Sequence, residues 1–317
     1  MRRARFAKLG QNWSLVFFLV IPMNTPALDW ATLAARAKLS RPLLRIAILS
    51  AALLGAVGAS TPAYADDPCA AERLETAING PQRTEAFRAR DVYRHPEETL
   101  VFFGVKPDQT IVEIAPGGGW YTEILAPYLR DNGKLYEALY ESKQPELAED
   151  FDQERKHFNQ RLARDPAVFD HVTVGSLRAG RFTDVPANSA DMVLTFRNIH
   201  NWIKDGQFDA NLRAFYAALK PGGVLGVEEH RAKPGISIEQ VIKTGYVPET
   251  YVIEHAKAAG FRLAGQSEAN RNPRDTKDYP NGVWSLPPTL KSDADDRARM
   301  LAIGESDRMT LRFVKPQ

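Results

Sequence analysis

From residue 97 to residue 314, short apolar runs alternate with longer stretches whose apolar residues recur every three or four positions. A short run bounded by turn residues reads as a buried strand, and the three-to-four spacing as one face of a helix. Strands are expected over 111–114, 134–140, 172–177, 192–196, 224–227, 261–266 and 309–314. Helices are expected after residue 119 (Ile124, Leu125, Tyr128 and Leu129 on one face), within 145–164, over 208–219 and over 251–259. Strands that alternate with helices fold into an α/β, doubly wound, mostly parallel sheet. Before residue 104 the pattern is helical: 70–78, 84–93, and an apolar turn at 100–103. Arg88, Arg90, Asp91 and Arg94 crowd this segment; they are expected on a solvated helix face, or alternatively on a lid over a ligand site. Residues 268–290 read as a long Pro-, Asn- and Asp-rich loop with Tyr279, Trp284 and Leu286 as anchors, either a lid or a wrap over the sheet edge.

The first strand stops in Pro116-Gly117-Gly118-Gly119. Strand, glycine turn and helix together let backbone N–H groups and a helix N-terminus approach an anionic group of a ligand, because no Cβ holds it off. An ordinary tight turn would look the same. Two details sharpen the choice. The nicotinamide-type fingerprint needs a third small residue at position 122, which is Thr122. An acid, Glu113, precedes Gly117 by four residues. A ribose-binding carboxylate is expected at the end of the second strand, about 20 residues past the glycines; Glu141 is preferred there, with Glu137 in reserve.

The strands expected over 192–196 and 224–227 are followed by Arg197, Asn198, His200 and Trp202, and by Glu228, Glu229, His230 and Arg231. In doubly wound sheets ligands sit outside the carboxyl ends of strands. His200 and His230 are therefore candidates for a general base, with Glu229 or Glu228 to orient it. An ion-pair network that packs the loops is the competing account of 228–231. The histidines have no close His-x-His or HExxH spacing, so no metal is expected.

Composition adds bounds. The chain is 44% hydrophobic and 25% charged with net charge +2, which gives no reason to expect a nucleic-acid partner. Residues 1–65 stand apart: Asp29 is their one acid, Arg36, Lys38, Arg41 and Arg45 precede an apolar run over 46–57, and Ala63-Tyr64-Ala65 follows. A basic region, a short apolar core and an A-x-A site make a secretory signal peptide. Cleavage after Ala65 and export, to the periplasm in a bacterium, are expected, with no stable membrane insertion afterwards; the intact mass of the matured protein checks this. A second apolar patch over 15–21 makes the peptide over-long, as a misassigned start with Met23 as the true initiator would. The expected organisation is signal peptide 1–65, helical segment 66–96 and α/β domain 97–317. Cys69 is the single cysteine, so neither an internal disulfide nor a cysteine metal cluster is available.

Glu113-Ile114-Ala115-Pro116-Gly117-Gly118-Gly119 resembles the first motif of class I S-adenosyl-L-methionine (SAM)-dependent methyltransferases, with Ala115 where that family usually has its first glycine. Ser189-Ala190-Asp191-Met192-Val193, Leu219-Lys220-Pro221-Gly222-Gly223 and Ala259-Gly260-Phe261 are similar to later motifs of the same class. The chain as a whole resembles a group of exported bacterial proteins called predicted methyltransferases, through Trp120 to Leu125, Arg197 to Trp202 and Gly304 to Met309. The resemblance implies a Rossmann-like methyltransferase fold of seven strands with the last antiparallel. It further implies SAM as cofactor, a small-molecule acceptor, and Glu113, Ala115, Gly117, Gly118, Gly119, Glu141, Arg197 and Asn198 around the cofactor. His200, His230 and Glu229 then fall to the acceptor. A non-enzymatic binding protein for a nucleoside-type ligand on the same fold is the alternative, since an exported enzyme needs SAM from outside the cytoplasm.

Overall fold

The computed structural model describes residues 68–317. The expected signal peptide and its cut after Ala65 lie outside the described residues. Eight strands form one sheet: β1 (Thr110–Ile114), β2 (Lys134–Glu141), β3 (Val172–Arg178), β4 (Arg181–Phe182), β5 (Ala190–Phe196), β6 (Leu219–His230), β7 (Arg262–Ser267) and β8 (Arg308–Val314). Their order is β4-β3-β2-β1-β5-β6-β8-β7. Neighbours among β3, β2, β1, β5 and β6 are parallel, and β8 runs antiparallel to both β6 and β7. This is the expected doubly wound, mostly parallel α/β sheet.

The central strands are apolar on both sides. Val112, Ile114, Val193 and Leu225 enter one core, and Ile111, Met192, Leu194 and Val224 the other. A strand buried on both faces reads as a continuous apolar run, which is why these strands were legible. The first core is closed by α8 (Ile199–Lys204), α9 (Phe208–Ala218) and α11 (Glu249–Ala258), through Trp202, Phe215 and Val252. The second is closed by α1 (Pro68–Asn79), α4 (Pro96–Phe103) and α5 (Thr122–Leu129), through Leu74, Phe103, Ile124 and Leu125. Pro127 inside α5 has no N–H for the carbonyl of Glu123. The side-chain amide of Gln82 donates to that oxygen instead, at 3.0 Å, and so ties the N-terminal segment to the helix after the glycine turn.

Four expectations are corrected. The sheet has an eighth strand, because two-residue β4 folds back antiparallel on β3; it is too short to leave a periodic signal. Second, β6 does not stop at Val227. It continues through Glu228, Glu229 and His230, held by Thr310, Met309 and Arg308 of antiparallel β8. The alternation of a strand therefore sends Glu228 and Glu229 to opposite faces. Third, the helix expected over 84–93 is two separate turns, α2 (Glu85–Arg88) and α3 (Asp91–Arg94), with Asp91 held by Arg83 at 2.7 Å. Fourth, Arg90 and Arg94 do not lie on a solvated face: both turn inward to Glu305.

Loop 268–290 is an ordered wrap. Asp275 accepts hydrogen bonds from the Tyr246 hydroxyl and the Asp307 amide, while Tyr279 and Leu286 are buried. Among the described residues no helix is long and apolar enough to cross a membrane.

Candidate cofactor and acceptor site

β1 and β5 are neighbours, with β2 on one side and β6 on the other. The connection direction reverses between them, so the crevice at their carboxyl ends is where such a sheet binds ligands. Both strands are followed at once by a non-glycine residue with positive φ, Ala115 at 49° and Arg197 at 62°. Each costs about 1–2 kcal/mol relative to ordinary backbone. Ala115 thus holds the conformation a glycine takes freely, and its N–H donates to the Ala138 carbonyl at 2.9 Å. Asn198 spans the crevice: its Nδ2 donates to the Ile114 carbonyl at 2.9 Å and to Thr195 Oγ1 at 3.1 Å.

Within the turn, Gly117 has φ 56° and Gly119 φ 81°. A Cβ on Gly117 would meet nothing within 4 Å, so this side of the turn is open. Gly118 and Gly119 are covered. A Cβ there would lie 3.4 Å from Phe87 of α2, and 3.4 Å from Phe158 and Arg161 of α6 (Ala148–Leu162), respectively. Glu141, at the end of β2, accepts from Ser176 Oγ at 2.5 Å and pairs with Arg155 of α6, so its carboxylate ties α6 to β3.

Directly under the turn lies a buried pair of acids. Glu113 and Glu137 are register partners on β1 and β2, both almost wholly enclosed. Thr122 Oγ1 donates to Glu113 Oε2 at 3.1 Å, which gives this position a reason to be Thr and not Gly. Burial raises the Glu113 carboxyl to about 7; burial, and then the charge of Glu113, push Glu137 well above the carboxylate range. At neutral pH the pair holds at least one proton between them. Because the folded pKa values lie above the unfolded ones, the pair stabilises the fold fully below about pH 4.5, and that contribution is lost as pH rises through about 7. Glu137→Gln, which keeps a donor without the charge, is expected to match the wild type at pH 4.5. At pH 8 it should melt higher, by about 2–4 °C for each kcal/mol recovered. Melting curves across this range that stay parallel for the two proteins would sink this account of a buried, protonated pair.

At the end of β6, Glu229 is fully buried and accepts three N–H groups. They are the Ile199 amide at 2.6 Å, the His230 amide at 2.9 Å and His200 Nδ1 at 3.1 Å. A carboxylate on Nδ1–H fixes the tautomer and leaves Nε2 as the basic nitrogen. The His200 and His230 rings are 5.4 Å apart, and Trp284 of the long loop stands 5.9 Å from His200. His230 Nδ1 meets Ser306 Oγ at 2.6 Å. Burial, then the charges of His200 and nearby arginines, lowers the His230 pKa well below its usual value. His200, Glu229 and His230 also bring one potential metal-ligand atom each within 4.8 Å of one another. The fold thus makes a proximity that the sequence spacing hides. A cation there would compete with the three N–H groups already on Glu229.

On the opposite face of β6, Glu228 accepts from the Tyr121 hydroxyl at 3.1 Å, Arg197 at 2.8 Å and Arg308 at 2.9 Å. Glu305 receives Arg90 at 2.6 Å, Arg94 at 3.3 Å and Arg308 at 3.4 Å. Burial alone would raise the Glu305 carboxyl; the charges of Arg94, Arg308 and Arg90 outweigh it and bring it to about 2. From the sequence, Arg197 was expected at the cofactor and Arg90 and Arg94 on a solvated face or a lid, while Glu305, Arg308 and Tyr121 had no expected role. A signal existed, since the stretches 120–125 and 304–309 carried the family resemblance.

No protein-family model and no curated protein matches the chain. Solved structures do. A SAM-dependent methyltransferase from Aquifex aeolicus is 14% identical over 77% of this chain and 98% of its own, with TM-score 0.47. The geranyl diphosphate C-methyltransferase of Streptomyces coelicolor is 13% identical over 76% and 84%, with TM-score 0.47. The cyclase SpnF is 18% identical over 78% and 93%, with TM-score 0.48.

Proposed function

We propose that this protein is a SAM-dependent methyltransferase that acts on a small acceptor. The observation that carries the reading is the glycine turn at the β1/β5 switch point. Its Gly117 faces open space, and the acid Glu113 lies beneath it within a motif of the methyltransferase type. SAM carries its methyl on a sulfonium and is already an electrophile. The protein has to place a nucleophile in line behind that methyl, about 3–3.5 Å away, and keep water out. Gly117 and Gly118 offer backbone to the amino-acid end of SAM, while Gly119, whose N–H is spent on the Pro116 carbonyl, shapes the turn; Ala115, Arg197 and Asn198 form the rim. Glu141 is the ribose acceptor in this reading, since Glu137 is sealed against Glu113. His200, oriented by Glu229, is the candidate base for the acceptor, with His230 beside it. Export after cleavage at Ala65 belongs to the same proposal.

One observation favours a second reading, a nucleoside-type binding protein without transfer: α6 covers Gly119, at the amino-acid end that SAM has and a nucleoside lacks. Calorimetry of the purified chain with SAM, S-adenosylhomocysteine and NAD tests both. Binding of the first two and not the third is expected. Glu141→Ala should weaken SAM at least ~10-fold, the worth of one charge-assisted hydrogen bond. The same loss in Glu137→Ala alone would move the ribose to Glu137. No affinity for SAM or S-adenosylhomocysteine would end the methyltransferase reading.

A further inference from the structure

The arginine cluster carries more positive charge than its structural role requires. Four guanidiniums, of Arg90, Arg94, Arg197 and Arg308, converge on two carboxylates, Glu228 and Glu305. Arg94 and Arg308 are nearly inaccessible, with side chains 4% and 1% exposed. An unbalanced buried charge is strongly destabilising, so a network that served packing alone would come out neutral. Glu113 and Glu137 do not restore the balance, because burial favours the protonated form of both.

The donors are not used up either. Arg90 and Arg94 each spend Nε on Glu305, and among the described residues no acceptor is bonded to their terminal nitrogens. Nε of Arg308 is buried without a partner. Burial, and then the charge of Arg197, pull the Arg94 pKa down to about 9, as expected where a counter-anion is missing. The cluster also has a mouth, since Arg90 and Arg197 remain 21% and 18% exposed. Its position is equally specific. The Arg94 guanidinium lies 4.7 Å over the ring of Trp120, the residue after the glycine turn, while Arg197 leads from β5 towards His200.

We infer that Arg90, Arg94, Arg197 and Arg308 receive a carboxylate or comparable small oxyanion of the methyl acceptor, so that the substrate is an organic acid. This rests on the methyltransferase reading. A planar guanidinium with two free N–H groups suits a carboxylate, which it grips by both oxygens. Arg197, Arg308 and Arg94 lie close enough for their charges to lower the His230 pKa, so an anion held there would anchor the acceptor at the same strand end as the histidines, with its nucleophilic atom left for His200.

The cofactor's own carboxylate is the other possible source, and the test separates them. The purified protein is titrated with benzoate and with inorganic phosphate in a chloride buffer, with and without saturating S-adenosylhomocysteine. Millimolar or tighter binding of at least one anion is expected, unaffected by S-adenosylhomocysteine. Arg90→Gln, at the exposed edge of the cluster, should weaken it at least tenfold. Glu305→Gln, which adds to the surplus charge, should tighten it, whereas a purely structural network predicts no gain. Absence of anion binding in the wild type, or equal binding in Arg90→Gln, overturns the inference. Displacement of the anion by S-adenosylhomocysteine overturns it too, because the cluster then belongs to the cofactor. If the anion binds and S-adenosylhomocysteine does not, the anion site stands and the methyltransferase reading falls.

Discussion

Gly117→Val is expected to abolish SAM binding, by at least ~100-fold, in a protein that still folds. Gly117 has φ 56°, and a Cβ there would meet no atom of the protein within 4 Å. The added side chain therefore projects into the open side of the turn, where the amino-acid end of SAM would approach. A β-branched residue at positive φ is strained, by about 1–2 kcal/mol. That is small against the ~5–15 kcal/mol typical of a folded domain, so loss of the fold is not the expected outcome. A ~100-fold loss corresponds to about 2.8 kcal/mol of binding, which exclusion of a ligand group easily reaches. Gly119→Val is the less informative variant, because Phe158, Arg161 and Thr122 already stand 3.4 Å from its Cβ position. Loss of binding there would mix ligand exclusion with displacement of α6. Calorimetry, with circular dichroism and a melting curve on the same sample, decides the matter. A folded Gly117→Val protein with wild-type affinity for SAM would remove the glycine turn from the cofactor site.

The contrast between these two glycines shows where sequence reading stops. Pro116 to Gly119 was legible as a turn because glycine and proline act on backbone geometry, which is local. Which glycine faces a ligand depends on α6 and α2, and nothing local encodes their return. The central strands were legible for a similar reason: burial on both faces writes itself as an apolar run such as Ile111-Val112 or Val193-Leu194. The end of β6 was not, because Glu228-Glu229-His230 is charged and owes its strand conformation to pairing with β8, some eighty residues later. The arginines were misplaced for the same kind of reason. Arg90 and Arg94 look like a solvated face until Glu305 arrives from the far end of the chain. Charge is read as surface by default, and only its partner reveals it as buried. His200 and His230 were placed at neighbouring strand ends by topology alone. Their 5.4 Å approach, and the opposite faces taken by Glu228 and Glu229, needed the structure.

His200→Ala is expected to lower methyl transfer by ~10²–10⁴-fold, the range of general acid–base steps, with SAM affinity unchanged. The choice of His200 over His230 follows from their partners. Buried Glu229 faces His200 Nδ1 and is itself locked by the amides of Ile199 and His230, so it cannot swing away. That arrangement aims the basic Nε2 and stabilises the imidazolium formed when a proton is taken up. His230 has a serine hydroxyl on Nδ1 in place of a carboxylate, and burial already disfavours its charged form. It is better suited to shape the pocket than to accept a proton, and His230→Ala should cost less than His200→Ala. Glu229→Gln should fall between, since it keeps the shape while it removes the charge that supports the imidazolium. The effect is bounded above because proximity alone supplies much of the rate of a methyl transfer. An acceptor is found first, from carboxylate-bearing phenols, thiols and amines screened for S-adenosylhomocysteine release. With that acceptor, full turnover in His200→Ala would show that His200 is not the base. A greater loss in His230→Ala than in His200→Ala would exchange the two roles. Rescue of His200→Ala by added imidazole, with no such rescue of Glu229→Gln, would tie the missing function to the ring nitrogen itself.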